Sequence, residues 1–152
     1  MKTKLCGILF ALAITVFSYG ILFAAEEEIE YVFEGTVGQF VEKFNSNELA
    51  AEDAYLSERG ALKYIKLTGI VDSVTKDIMN GDEVIVMKLK RMPDESNTGV
   101  VDDVKIAFHN SWRPHLVSLK PGDEVTQDEV VCVEKEASSL ILFKAGGWGN
   151  DD

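Results

Sequence analysis

A mainly β domain preceded by two helices is predicted by three observations on this 152-residue sequence. Five segments rich in Val, Ile, Leu and Phe follow one another: Leu62–Val74, Glu83–Arg91, Asp102–His109, Glu124–Val133 and Ser138–Lys144. Turn chemistry separates them, in Asn80-Gly81-Asp82, Pro93-Asp94-Glu95-Ser96-Asn97 and Pro121-Gly122-Asp123, where the backbone must reverse. Between the third and fourth segments, Ser111–Leu119 carries Trp112, His115, Leu116 and Leu119, the pattern of a short helix or helical turn. Three strands, a short helix and two more strands give the order of a five-stranded OB-like barrel.

The chain opens Met1-Lys2-Thr3-Lys4, continues as an apolar run from Leu5 to Ala25, and turns abruptly charged at Glu26-Glu27-Glu28. Lysines that stay cytoplasmic, then an apolar stretch that enters the bilayer, are what a translocation signal needs. The run has about the ~20 residues of a membrane-crossing helix, so two outcomes stay open. Residues 1–25 are either a signal peptide cut near Ala24 or Ala25 (Ser18-Tyr19-Gly20 is another site) or an uncleaved anchor. Residues 26–152 are expected as one exported domain, periplasmic or extracellular; with the anchor retained, it faces the non-cytoplasmic side.

Within that domain, Ile29, Tyr31 and Phe33 alternate with polar residues, as in a short strand or an extended linker. Thr36 precedes Gln39 by three, a capping-box spacing, and Val37, Phe40, Val41 and Phe44 then mark one helix face. Asn45-Ser46-Asn47 breaks that helix, and Glu48 to about Arg59 reads as a second, with Gly60 as its stop. The division is thus a helical hairpin over 36–59, a barrel over 62–144 and a frayed tail over 145–152. Gly69 falls in the middle of the long first barrel strand, where a strand serving both halves of a barrel must bend.

The net charge is -11, from 26 acidic and 15 basic residues. Removing the leader removes Lys2 and Lys4 and no acid, leaving 13 basic against 26 acidic groups, or -13. So acidic a domain repels polyanions at long range, which weighs against nucleic acid as its partner. Cys6 follows only five residues, too few to precede a lipidation site, and Cys132 alone forms no internal bridge.

The segments Asn47-Glu48-Leu49-Ala50-Ala51-Glu52 and Leu67-Thr68-Gly69-Ile70-Val71-Asp72-Ser73-Val74 resemble the tRNA-anticodon-like (tRNA_anti-like) OB-fold family of exported bacterial proteins. In that family a helix with an N-E-x-A-A-type segment precedes a first strand with a T-G-x-V pattern. Leu119-Lys120-Pro121-Gly122-Asp123-Glu124-Val125 looks like its turn into the fourth strand. The likeness covers roughly Thr36 to Lys144. It departs from the family's usual pattern at Tyr55–Lys63, which is longer, and in having only Cys132 where many members have a cysteine pair. What the resemblance implies is an OB fold without an established activity; the family name refers to fold and carries no implication of tRNA binding.

Alternation places Ile85, Met87 and Leu89 inward and Val84, Val86, Lys88 and Lys90 outward; Lys105 and Lys66 fall on the outer parity of their own strands. Lys66, Lys88, Lys90 and Lys105, with Arg91 at the edge, are therefore the candidate binding residues, on the strand 1–3 face that OB folds commonly use. A basic stripe there could receive a small anion, an acidic glycan or a protein partner. The plainer reading is that these lysines solvate an open face and discourage edge pairing. Exchanging Lys88 and Lys105 for glutamate is then expected to cost less than about 1 kcal/mol.

No other chemistry stands out. His109, His115 and Cys132 lack the spacing of a metal site, so neither metal nor cofactor is expected. Cys132 lies in the apolar run Val130-Val131-Cys132-Val133 and reads as a buried thiol rather than a nucleophile. The carboxylates are scattered, and no phosphate loop or serine elbow occurs. Trp112 reads as a core or helix-docking residue, and Trp148 lies in the tail. A non-enzymatic binding module is the expectation, with a membrane-anchored structural or accessory envelope protein as the alternative.

Overall fold

The structure is a computed structural model that describes residues 28–58, 60–97 and 99–145. The expected leader with Cys6 and residues 146–152 of the expected frayed tail, with Trp148, lie outside these residues, whereas Ala145, expected to fray, donates its N–H to the Glu129 carbonyl at 2.8 Å. The elements run β1 (Tyr31–Thr36), α1 (Val37–Ser46), α2 (Glu48–Tyr55), β2 (Tyr64–Met79), β3 (Asp82–Lys90) and β4 (Asp103–His109). A 3-10 turn (Asn110–Trp112), α3 (Arg113–Leu116), β5 (Glu124–Lys135) and β6 (Ser139–Lys144) follow.

The strands form one ring-like sheet in the order β1-β2-β3-β4-β6-β5, with β5 returning to pair with β2. β4 and β6 run parallel, while β2–β3, β3–β4, β5–β6 and β2–β5 are antiparallel. This is the OB order, with one strand more than the five expected. The addition is β1, which lies parallel to β2 from Tyr31 opposite Tyr64 to Thr36 opposite Thr68. It occupies the stretch of β2 that β3 does not reach, because β3 pairing begins only at Ile70.

The changeover explains Gly69. Up to Ile70 β2 pairs with β5, and from Ile70 onward it pairs with β3, so one strand serves both sides of the ring. A Cβ at Gly69 would stand 2.6 Å from Val37 Cγ2 and 3.0 Å from the Lys90 carbonyl. Only glycine lets the backbone come this close. At its far end β2 turns directly into β3 through Asn80 (φ 54) and Gly81 (φ 92), a two-residue hairpin whose positive φ values match the strand twist.

α1 begins as the sequence indicates: the Thr36 hydroxyl accepts from the Gln39 N–H at 3.2 Å, and the Gln39 side chain accepts from the Thr36 N–H at 3.1 Å. Its apolar face, Val37, Phe40, Val41 and Phe44, is buried and joins the core with Ile65, Leu67, Met87, Leu89, Ile106, Phe108, Cys132 and Leu142. α2 stops at Tyr55, four residues before the expected end. Leu56 leaves the helix to bridge with Cys132, and the Ser57 N–H donates to the Cys132 carbonyl at 2.8 Å. Gly60 (φ 86) instead sits in the turn that follows. Among the described residues no helix is long and apolar enough to cross a membrane.

Candidate ligand-binding face

Lys88, Lys90 and Lys105 come together on the outer side of β3 and β4. Lys88 is opposite Lys105 in register, and Lys90 follows two residues along on the same face. Every one of the candidate cations holds a carboxylate. Lys88 Nζ is 3.0 Å from Asp103 Oδ2 and 3.6 Å from Asp72 Oδ2. Lys90 takes the other oxygen of Asp72 at 3.2 Å, and Lys105 takes Glu136 at 3.1 Å. Arg91, just past the end of β3, is ion-paired with Asp102, and its side chain is largely buried.

Lys66 stands apart. It lies on the first half of β2, where the neighbours are β1 and β5, and pairs with Glu34 at 2.8 Å. The hydrogen bond from that ammonium to Glu34, helped by the Glu34 charge, raises the Lys66 pKa. The Tyr31 ring centroid is 6.0 Å away, on the same outer side. For Lys88 the hydrogen bond to Asp103 is the main cause of a raised pKa, followed by the Asp103 charge.

Sequence reasoning anticipated the lysines and pairing by Asp and Glu from the loops, which holds for Asp102 and Glu136 but not for the other partners. Glu34, Asp72 and Asp103 come from strands rather than from loops, and Asp102 and Glu136 flank strand ends. The available signal was the presence of Asp within β runs, where it is depleted unless something holds it. Asp103 has the strongest hold: its residue is nearly buried, and it also accepts the Ser139 hydroxyl at 2.5 Å.

Among the described residues, one concavity flanks this face and another lies away from it between the helices. A cleft of about 430 Å³ at the end of β3 is lined by Ile70, Lys90, Arg91, Pro93 and Asp102, so two cations, one carboxylate and two apolar walls meet there. A groove of about 580 Å³ lies between α1, α2 and β1, with Phe33 and Tyr55 and the methyls of Ala50, Ala51 and Ala54 in its lining.

The remaining candidates fall elsewhere. His109 Nδ1 lies 2.9 Å from the Ser111 hydroxyl at the start of the 3-10 turn. His115 is exposed beside Trp112, with ring centroids 5.7 Å apart. Cys132 is fully buried in the core, and burial pushes its thiol pKa up to about 12. Among the described residues no three His, Cys, Asp or Glu side chains group as metal ligands.

Comparison with solved structures places the chain beside a candidate nucleic acid-binding lipoprotein from Klebsiella pneumoniae, at 15% identity and a TM-score of 0.54 over 72% of this chain and 86% of that one. At that identity the likeness is one of fold alone. An OB domain from Thermoplasma acidophilum is 16% identical, with a TM-score of 0.32 over 54% of this chain and 69% of that chain. No protein-family profile and no curated protein matches the sequence.

Proposed function

We propose that this chain is an exported, non-enzymatic OB-fold binding module that receives its ligand or partner on the outer face of β2–β4. The observation that carries this reading is the grouping of Lys88, Lys90, Arg91 and Lys105 beside a cleft, in a chain whose net charge is -11. Lys66, paired with Glu34 on the first half of β2, stands outside this group. The carboxylates that hold these cations pre-position them and also balance them, so a bound anion must displace Asp72, Asp102 or Glu136. Binding by such a face is weak and salt-sensitive, because exposed charges are screened within about 8 Å at physiological ionic strength.

The test is a titration of inorganic phosphate, a sulfated oligosaccharide, an acidic peptide and a short single-stranded oligonucleotide at two salt concentrations. The oligonucleotide belongs in the set because the Klebsiella structure carries a nucleic-acid description, although the acidity of this chain weighs against it. The expected result is binding of at least one probe that weakens with salt and is lost in the Lys90→Glu, Lys105→Glu double variant. Affinity indifferent to both salt and the double variant would overturn the reading.

A second reading is favoured by the complete internal pairing of the candidate cations. With no cation left over, the face is also that of a structural or accessory envelope protein without a small ligand, anchored if residues 1–25 are retained. N-terminal sequencing of the exported protein separates the anchored from the released form.

A further inference from the structure

β2 runs for 16 residues, and its far half has a bare edge. From Val74 to Met79 it pairs with β3 alone among the described residues, because its ladder with β5 ends at Ile70 and the backbone contacts of Gly122 and Asp123 end at Val71. The two-residue turn at Asn80-Gly81 fixes which groups are bare. Met79 and Asp82 close the hairpin as a hydrogen-bonded pair, and alternation then gives Asp77 and Thr75 to β3. Val74, Lys76 and Ile78 therefore turn their N–H and C=O groups to the open side. The Ile78 N–H is free to donate to Asp77 Oδ1 at 2.8 Å, as that phase requires. No described residue takes the backbone groups of Val74 or Lys76 on the open side. A bare edge of this kind is a template for another strand.

A pocket of about 250 Å³ opens beside this edge, walled by Val74, Ile85, Leu116 and Leu119, with Lys76 and Arg113 as its cations. It lies on the opposite side of the hairpin from the lysine face: Val74 stands opposite Met87 and Lys76 opposite Ile85, whereas Ser73 stands opposite Lys88. Lys76 is held by Glu83 at 2.8 Å. Arg113 is exposed and holds no ion pair among the described residues. Glu83, whose pKa is lowered by the Lys76 hydrogen bond and charge, feels Arg113 only from beyond that pair. The volume falls below the ~300–1,000 Å³ of small-molecule sites and suits one large apolar side chain. We propose that the edge and the pocket together receive an extended peptide segment of a partner protein. It adds to β2 as a strand through Val74 and Lys76, sets an apolar side chain in the pocket and, two residues on, a carboxylate on Arg113. Same-face side chains of a strand stand about 7 Å apart, so both reach one small site. A single carboxylate suits it and a run does not, since the net charge of -11 repels polyacidic segments.

The probe is a displayed library of linear heptapeptides selected on the full chain, followed by the synthetic, end-capped consensus peptide. The consensus is expected to place an acidic residue two positions after an apolar one, and its binding to shift amide resonances of 73–79 and 113–119. Arg113→Glu is expected to weaken binding at least about tenfold, and exchanging the peptide's acid for lysine to restore it. N-methylation separates backbone pairing from side-chain contact: methylating the peptide amides that face the edge should abolish binding, and methylating the alternate set should not. Val117 is 68% exposed at the pocket, so Val117→Trp should obstruct it and reduce binding without lowering thermal stability. The proposal is overturned by a selection that yields no such consensus, or by binding indifferent to both Arg113→Glu and N-methylation. Binding lost in the Lys90→Glu, Lys105→Glu double variant would move the peptide to the lysine face and overturn it too. Self-association of the chain that Val117→Trp abolishes would assign the edge to a second copy instead.

Discussion

Lys88 on β3 and Asp103 on β4 stand diagonally across one ladder, with Nζ 3.0 Å from Oδ2. Only 10% of the Asp103 side chain is exposed, so its charge depends on this ammonium and on the Ser139 hydroxyl. Lys88→Ala would leave a nearly buried carboxylate with one neutral donor, at a cost of about 1–3 kcal/mol. Lys90→Ala breaks a more exposed pair with Asp72 and should cost less than about 1 kcal/mol. Urea denaturation of the two variants checks this; equal losses would show that Asp103 does not rely on Lys88. The same geometry corrects the expectation that reversing Lys88 and Lys105 is nearly free. Lys88→Glu would gather a third carboxylate between Asp72 and Asp103, and the double reversal should cost well over 1 kcal/mol, on the order of a broken buried pair.

Acid sensitivity should concentrate at Asp128. The buried Lys144 ammonium lies 2.7 Å from its carboxylate, 2.6 Å from its carbonyl and 5.2 Å from the Trp112 ring centroid. The hydrogen bond from Lys144, and then its charge, hold the Asp128 carboxyl below its ordinary pKa of 3.8. A depressed carboxyl stabilises the fold fully above its unfolded pKa, and that contribution is lost as pH falls through the lower folded value. Asp128→Asn should therefore be less stable than the parent by a constant amount near neutrality. The difference should shrink below about pH 4. Denaturation series from neutral to acid pH measure it, and a gap that does not narrow would remove Asp128 as the source.

Cys132 should behave as a thiol reached only by unfolding. It is fully buried, bridges to Leu56, and has its pKa pushed up to about 12 by burial, so almost no thiolate exists at neutral pH. Labelling with a thiol reagent is expected to be slow in native protein, to accelerate in urea along the unfolding curve, and to proceed without metal release. Fast native labelling would show that the α2–β5 junction opens locally.

Much of this arrangement was legible because it is local. Thr36 and Gln39 fix the start of α1 within one turn, Asn80-Gly81 fixes a hairpin within four residues, and the period of two in β3 and β4 marks inner and outer faces. What was not legible depends on partners distant in sequence. Tyr31–Thr36 could be read as strand or linker because its partner is a parallel stretch more than thirty residues away. The end of α2 is set by β5, which no helix-stop signal near Gly60 could reveal. The lysines were visible, but Glu34, Asp72 and Asp103 meet them only once β1, β2, β3 and β4 pair in register. Alternation likewise placed Val84 and Val86 outward without indicating that they would be buried there.

Gly69 offers a sharp test of how the ring is closed. Here β2 exchanges β5 for β3 as its partner, α1 sits directly above, and the Cβ that alanine would add lies 2.6 Å from Val37 Cγ2. The valine methyl can move, but the Lys90 carbonyl at 3.0 Å is backbone and yields less. Gly69→Ala should thus cost about 1–3 kcal/mol, the usual range for overpacking a core. Combining it with Val37→Ala should recover part of that loss, since one of the two crowded contacts disappears. The double-mutant cycle measures the coupling directly. Full recovery would show that the Lys90 carbonyl is not limiting, and strict additivity would show that α1 does not press on the bend at all.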